Sequence, residues 1–496
     1  VTAEPDAPAW LGIDLGTQSV RAVVLGADGR VHGRGQAKFA SRRDGPRHEQ
    51  DPESWWRGTA EAIAQALRGL DGRTIRALAV DGTSGTILLA GADLGPRTAG
   101  LMYDDVRATA EAEEINAAGA GYFAGLGYGR MQPAWALPKL LWLQRHTPAS
   151  LPGATLLHQA DFITARLAGR IVGSDLSNAL KTGCDLIAGA WPLPLLARLG
   201  IDPALLPALA RPGAPIGTLA PGVARALGLP AAVQIIAGMT DSCAAQLGAG
   251  ALAPGSWNCV LGTTLALKGA TPALLRDPAG VVYSHRGPDG LWLPGGASSS
   301  GAGILSRDFP AADFSALTQA AAARPDPGFF TYPLAGRGER FPFVAPDAEG
   351  LRTGTPADEV ERFASVLLGL ACVERLCFDL MARLGAPIDG QISFTGGAAA
   401  NDHWTQLRAD MLGRPVFRPA DAEPATGMAR LAAAGCQGRP LAEIAAAMPI
   451  AGASTTPDPA RHAALRPVYR QFIAELLARG WIEPGLADFA RTRMDG

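Results

Sequence analysis

Two short segments of one kind, separated by about half the chain, constrain this sequence more than any other feature. Ile13-Asp14-Leu15-Gly16-Thr17-Gln18-Ser19 lies near the start, and Val260-Leu261-Gly262-Thr263-Thr264 lies near the middle. Each sits in an apolar, β-type run. Each offers a glycine followed by hydroxyl and backbone N–H groups at a hairpin, where a phosphate can approach the main chain closely. Two such loops from two halves predict a clamp on one polyphosphate.

Of the 496 residues 48% are apolar and 18% charged, and the net charge is −2. That length predicts roughly two to four domains. The near-neutral charge removes the electrostatic case for nucleic acid or anionic lipid partners and favours small-molecule chemistry. No apolar run reaches the ~20 residues of a membrane span. The start, Val1 to Trp10, is acidic and contains proline, unlike a secretion signal. The expectation is a cytosolic protein with no nucleic-acid or membrane partner. Cys184, Cys243, Cys259, Cys372, Cys377 and Cys436 are scattered, with neither a C-x-x-C pair nor a histidine at metal-ligand spacing, which predicts buried free thiols.

Leu11 to Leu25 alternates, breaks at Ala27-Asp28-Gly29 and resumes at Val31, the pattern of an opening hairpin. A helical period over Pro52 to Leu70 is followed by an apolar strand Ile75 to Val80, a turn Asp81 to Gly85 and a strand Thr86 to Leu89. Ala108 to Leu209 reads as a mainly helical insertion, clearest at Trp135 to Trp142 and Ala160 to Leu167. A strand Val233 to Ala237 runs through Gly238-Met239-Thr240-Asp241 into a helix Ser242 to Leu247, and the Gly/Ala/Pro-rich stretch Gly248 to Gly255 marks a domain boundary. From Ser256 the scheme repeats, with a Gly-rich turn Gly295 to Gly303, a long helix Asp358 to Leu384, a strand Gln391 to Phe394 and Gly396-Gly397. Two similar α/β domains with a cleft between them are the simplest architecture.

Seven segments now stand in sequence order: Asp14-Leu15-Gly16-Thr17; Tyr103-Asp104-Asp105-Val106-Arg107; Lys139-Leu140-Leu141-Trp142-Leu143; Asp161-Phe162 to Gly169; Gly238 to Gly250; Gly262-Thr263-Thr264; and Thr395-Gly396-Gly397. Together they resemble the FGGY-type carbohydrate kinases, which include xylulokinase, ribulokinase and glycerol kinase, within the actin-like ATPase superfamily. The resemblance implies two actin-like (ribonuclease H-like) α/β domains: a sugar-binding domain over residues 1–250, a nucleotide-binding domain over 251–440 and a helical tail over 441–496. It also implies ATP and Mg²⁺ as cofactors and a small-molecule sugar as substrate.

Phosphoryl transfer asks a protein chiefly for alignment, metal placement and donors to phosphate oxygens, with modest base assistance. By resemblance Asp241 is the catalytic base and touches the sugar; read alone, it is equally an N-cap aspartate. Asp14 matches the Mg²⁺-associated carboxylate, acting through water; read alone, it is a hairpin aspartate. Gly16, Thr17, Gln18 and Arg21 resemble the first phosphate loop, and Gly262, Thr263 and Thr264 the second. Gly301, Gly396, Gly397 and Asn401 resemble the nucleotide site, although a tight strand-to-helix turn would select the last three equally well.

Sugar recognition departs from the family pattern. The loop Asp81-Gly82-Thr83-Ser84-Gly85 carries neither the Gln-Met-His-Gly of typical xylulokinases nor the Arg-Glu of glycerol kinases. Asp81, Thr83 and Ser84 are the hydrogen-bonding groups it offers, and Asp105 is expected to face a polyol. An Asp-Gly-Thr-Ser loop resembles the ribulokinase subgroup, while the overall organisation is equally xylulokinase-like, so a ketopentose, D-xylulose or D-ribulose, is the expected acceptor. Another polyol kinase of the family is the alternative, and a catalytically silent sugar-sensing regulator is the alternative of a different class. Trp55 and Trp56 read as core. The amphipathic spacing of Arg461 to Leu477 suits packing on the C-terminal domain or on a second copy in a homodimer.

Overall fold

The computed structural model describes residues 7–495; the acidic segment Val1 to Asp6 lies outside the described residues. The chain divides into two compact units, neither continuous in sequence. The first comprises residues up to Leu252 together with His285–Leu293 and Asp421–Ile450, and the second comprises Ala253–Ser284, Pro294–Ala420 and Ala451 onward. Residues 421–450 thus return to the first unit, a connection that boundaries at 250 and 440 do not contain.

In the first unit three strands, Ala9–Leu15, Ser19–Gly26 and Val31–Lys38, form an antiparallel meander. Ile75–Gly82 pairs parallel with Ala9–Leu15, Gln234–Ile236 pairs parallel with Ile75–Gly82, and Pro215–Thr218 closes the edge antiparallel. Every residue of Ala9–Leu15 is buried, as a strand covered on both faces requires. Alternation places Leu11, Ile13 and Leu15 in one cluster with Trp55, Ile63 and Phe162, while Gly12 and Asp14 share the opposite face. There the helix Pro424–Gln437 lies so close that a Cβ on Gly12 would stand 1.7 Å from the Ala425 carbonyl oxygen.

The second unit repeats the topology. Trp257–Leu261, Leu265–Gly269 and Trp292–Ala297 run antiparallel in turn; Ile392–Thr395 pairs parallel with the first of them, Val416–Pro419 pairs parallel with Ile392–Thr395, and Gly452–Thr455 closes the edge. Its core is the 25-residue helix Glu359–Arg383, capped by Asp358, whose side chain accepts from the Glu361 N–H. The amphipathic segment folds as Pro459–Ala478 and buries Leu465, Tyr469, Phe472 and Leu476 in the same unit, with the Tyr469 hydroxyl donating to Asp379 at 2.6 Å.

The inserted region expected to be helical holds Thr109–Gly125, Ala136–His146 and Gln159–Ala168, and also a strand, Ala154–His158, paired antiparallel with Ile87–Gly91. A five-residue apolar run carries no period that separates strand from helix. The six cysteines are free and, except for half-buried Cys436, buried. No described helix is long and apolar enough to cross a membrane.

The close approach at Gly12 sets a stability test. Gly12→Ala should cost about 2 kcal/mol or more through overpacking, whereas Gly121→Ala, on an exposed turn of a helix with nothing within 4 Å of the new Cβ, should gain about 0.5–1 kcal/mol. Urea unfolding of both variants against the parent measures the pair.

Candidate active site

Three carboxylates of the first unit meet because three neighbouring strands run parallel. Asp14, near the end of Ala9–Leu15, stands in register with Asp81, near the end of Ile75–Gly82. Gly82 bridges to Thr240, which follows Gln234–Ile236 and caps the helix Asp241–Gly248. Asp241 is therefore the first residue of that helix rather than its cap. It is half-buried, its carboxylate accepts the Ser242 N–H at 2.7 Å, and its charge is felt by both other carboxyls. Carboxyl ends of parallel strands are where open α/β sheets place ligands.

Burial pushes the Asp14 carboxyl up to about 6; a hydrogen bond with Asp81 opposes the rise and the charge of Asp241 adds to it. Asp81 is fully buried, and burial followed by the proximity of Asp14 holds it well above the usual carboxylate range. Among the described residues no donor group other than the Asp14 carboxyl reaches either Asp81 oxygen, and the charges of Asp14 and Asp241 both act on it. Arg21, half-exposed on the paired strand, stands 3.6 Å from Asp14 and offsets part of the repulsion. Gly16 turns the hairpin, its N–H donating to the Ser19 carbonyl at 3.0 Å, and leaves Gln18 exposed and Thr17 half-buried beside Asp14.

The expected sugar-facing groups fare unequally. The Thr83 hydroxyl is engaged internally, 2.7 Å from Gln159 Oε1 and 2.6 Å from the Thr86 hydroxyl. The half-buried Ser84 gives its carbonyl to Lys181 Nζ at 2.8 Å. Asp105, expected to face a polyol, is fully buried, with Arg107 forked onto its two oxygens and the His48 N–H at 2.8 Å. Arg107 in turn stacks over Trp142, 4.9 Å from the ring centroid. Sequence reading missed how Lys139 ties these loops together. Buried completely, it donates to the carbonyls of Gly85 at 2.6 Å and Met102 at 2.8 Å, and burial lowers its ammonium to about 7.

The second unit contains a cavity of ≈ 710 Å³ lined by Gly262, Thr263, Phe314, Thr318, Gly397 and Asn401, among others. That volume lies within the range of small-molecule sites. Gly262 turns the hairpin, its N–H donating to the Thr264 carbonyl at 3.1 Å, and leaves Thr263 and Thr264 exposed. Gly301 backs this turn so closely that a Cβ would stand 2.3 Å from the Thr263 carbonyl oxygen, and Gly396, at φ 84°, would place one 2.6 Å from the Leu261 carbonyl oxygen. Asn401 caps the helix Asp402–Leu412, its oxygen accepting the Trp404 N–H and its amide donating to Thr318, each at 2.9 Å. Its turn role is thus visible even as it lines the cavity. Phe314, which sequence reading also missed, stacks on Phe363 and remains 39% exposed, a flat apolar wall. Its signal was the Asp313 cap that starts a short helix.

Residues 9–248 match the model of the N-terminal domain of the FGGY family of carbohydrate kinases, and residues 256–436 match that of its C-terminal domain. The chain belongs to this family. Xylulose kinase of Escherichia coli is 28% identical over 489 residues, covering 94% of this chain and 99% of that protein. Glycerol kinase of Alkalilimnicola ehrlichii is 31% identical over 468 residues, covering 88% and 92%. Among solved structures, a xyloylose kinase from Brucella ovis superposes with TM-score 0.88 at 24% identity over 95% of this chain and 99% of that one, and gluconate kinase from Lactobacillus acidophilus with 0.84 at 21% over 95% and 98%. These superpositions establish the two-domain actin-like, ribonuclease H-like fold. An FGGY kinase is an ATP-dependent carbohydrate kinase, and the names of these relatives span several acceptors.

The carboxylate pair of this FGGY chain carries a pH signature. Carboxyls whose folded-state pKa exceeds the unfolded value favour folding below about pH 4 and disfavour it progressively as pH rises through about 6. Asp81→Asn should therefore raise thermal stability at about pH 8 by an amount on the order of 1–3 kcal/mol, with the gain shrinking toward zero below about pH 4. Thermal melts of parent and variant across that range check the trend; a gain independent of pH would contradict it.

Proposed function

We propose that this FGGY kinase transfers the γ-phosphoryl of ATP to a hydroxyl of a ketopentose, D-xylulose or D-ribulose, with Asp241 as the general base. The observation that carries the reading is the convergence of Asp14, Asp81 and Asp241 at the ends of adjacent parallel strands. In this reading the first unit binds the acceptor and the second binds the nucleotide. By the same reading the Asp241 carboxylate, at the N-terminal, positive end of the Asp241–Gly248 helix, accepts the proton of the attacking hydroxyl. The new O–P bond forms as the bond to ADP breaks, and the proton ends on Asp241.

Asp14 with Asp81 behind it suits Mg²⁺, a hard cation that takes one or two carboxylates and keeps several waters. Asp14 would hold the ion through water, as the resemblance implies. Bound Mg²⁺ supplies neutralisation of the charge on the phosphate oxygens. Gly16, Thr17, Gln18 and Arg21, with Gly262, Thr263 and Thr264, are read as phosphate-facing groups. The cavity walled by Phe314, Gly397 and Asn401 is read as the place of the base. Support for D-xylulose comes from the xylulose kinases among the relatives, and support for D-ribulose from the resemblance of the Asp81-Gly82-Thr83-Ser84 loop to the ribulokinase subgroup.

The test is ADP release with Mg-ATP across D-xylulose, D-ribulose, L-ribulose, L-xylulose, glycerol, erythritol and gluconate. Turnover on D-xylulose or D-ribulose at least about tenfold above every other acceptor is expected, because a site built for one hydroxyl pattern rejects others by that margin or more. Preference for gluconate or glycerol would reject the ketopentose, and no acceptor-stimulated turnover would favour the regulator.

A further inference from the structure

Behind the second hairpin turn lies a carboxylate that neither the sequence motifs nor the proposed chemistry uses. Glu339 is 2% exposed and sits at the centre of six hydrogen bonds. Its Oε1 accepts the backbone N–H groups of Ser299 at 2.6 Å, Arg340 at 2.9 Å and Phe341 at 3.5 Å. Its Oε2 accepts the hydroxyls of Ser298 at 2.9 Å, Ser300 at 3.0 Å and Tyr332 at 2.9 Å.

What Glu339 holds is the segment Ser298–Gly303, and that segment holds the Gly262–Thr264 turn. The Ser298 N–H donates to the Leu265 carbonyl and the Leu265 N–H to the Ser300 carbonyl, both at 2.8 Å. Farther along, the Ala302 N–H donates to the Gly262 carbonyl at 2.9 Å and the Gly303 N–H to the Thr263 carbonyl at 3.1 Å. Between them Gly301 lies against Thr263 and Thr264 with no room for a Cβ. Gly262, Thr263, Ala302 and Gly303 all line the ≈ 710 Å³ cavity. An unbroken chain of hydrogen bonds therefore runs from a buried carboxylate to the exposed threonines.

We infer that Glu339 is a positioning residue for the polyphosphate of the nucleotide: it fixes the Ser298–Gly303 segment and through it aims the backbone and hydroxyl donors of Gly262–Thr264. The inference rests on the reading of the second unit as nucleotide-binding. Its chemistry distinguishes two substitutions. Backbone N–H groups cannot turn away, whereas hydroxyls rotate and can accept as well as donate. Glutamine can therefore point its carbonyl at Ser299 and Arg340 and its NH₂ at the three hydroxyls, preserving the frame. Alanine strands three fixed donors, the N–H groups of Ser299, Arg340 and Phe341.

The experiment measures binding by calorimetry, with a non-hydrolysable ATP analogue plus Mg²⁺ and, separately, with adenosine. For Glu339→Ala the analogue should bind about tenfold more weakly or worse, while adenosine, which has no phosphate, stays within about twofold to threefold. Glu339→Gln should restore analogue binding to within about threefold of the parent. A general loss of structure would weaken both ligands alike, and that result, or unchanged analogue binding, overturns the inference. If Glu339→Ala fails to fold, Glu339→Asp, which withdraws the carboxylate by one methylene, is read by the same ratio. A parent protein that binds neither ligand overturns the nucleotide reading and this inference with it, whereas a parent that binds both and a variant that matches it overturns the inference alone.

Discussion

The parallel pairing of Ala9–Leu15 with Ile75–Gly82, in the register that sets Asp14 opposite Asp81, is the constraint on which the first unit depends. A shift by one residue would turn Asp14 to the face occupied by Leu11, Ile13 and Leu15 and drive an apolar residue toward the site. The register is held because Gly12 alone admits the Ala425 backbone on one face and because the other face packs on Trp55 and Phe162. Packing thus forces two carboxyls together at a place where they repel. Under the proposed function this repulsion is the cost of a site that receives a ligand.

The second unit uses the same strand order with the opposite electrostatic design. Where the first hairpin turn stands beside an undersatisfied acidic pair, the second is backed by Glu339, a carboxylate with six donors. The first carboxyls lack donors, whereas the second is surrounded by them. One topology can host both because the strands fix where the turns fall, while the residues around each turn decide what it does.

Much of this was legible in the sequence. The two hairpins, the glycine after each strand and the aspartate at the start of a helix came from patterns of period two and from residue types with few alternatives at tight turns. The family resemblance gave the order of the parts, and the matched domain models agree with it. Side-chain direction was not legible. Asp105 lies two residues from Arg107 and reads as a solvated or sugar-facing group, yet the fold buries both as an ion pair stacked on Trp142. Thr83 reads as a free hydroxyl, yet Gln159, distant in sequence, takes it. Residues that act through long-range contacts, such as Lys139 and Glu339, leave no local signal, because nothing in their neighbourhoods shows which carbonyl or N–H groups the fold will bring to them. The return of residues 421–450 to the first unit is of the same kind.

The account centres on Asp241 as the group that removes the acceptor proton, and Asp241→Asn isolates that role because it keeps size and hydrogen-bonding capacity while removing the charge. The most direct measurement is single-turnover transfer of the γ-phosphoryl to the preferred sugar, alongside calorimetric affinity for sugar and for Mg-ATP. The account predicts a rate lower by roughly 10²–10⁴ with both affinities within a few-fold of the parent. A rate within tenfold of the parent, or a loss explained by weaker binding alone, would contradict it.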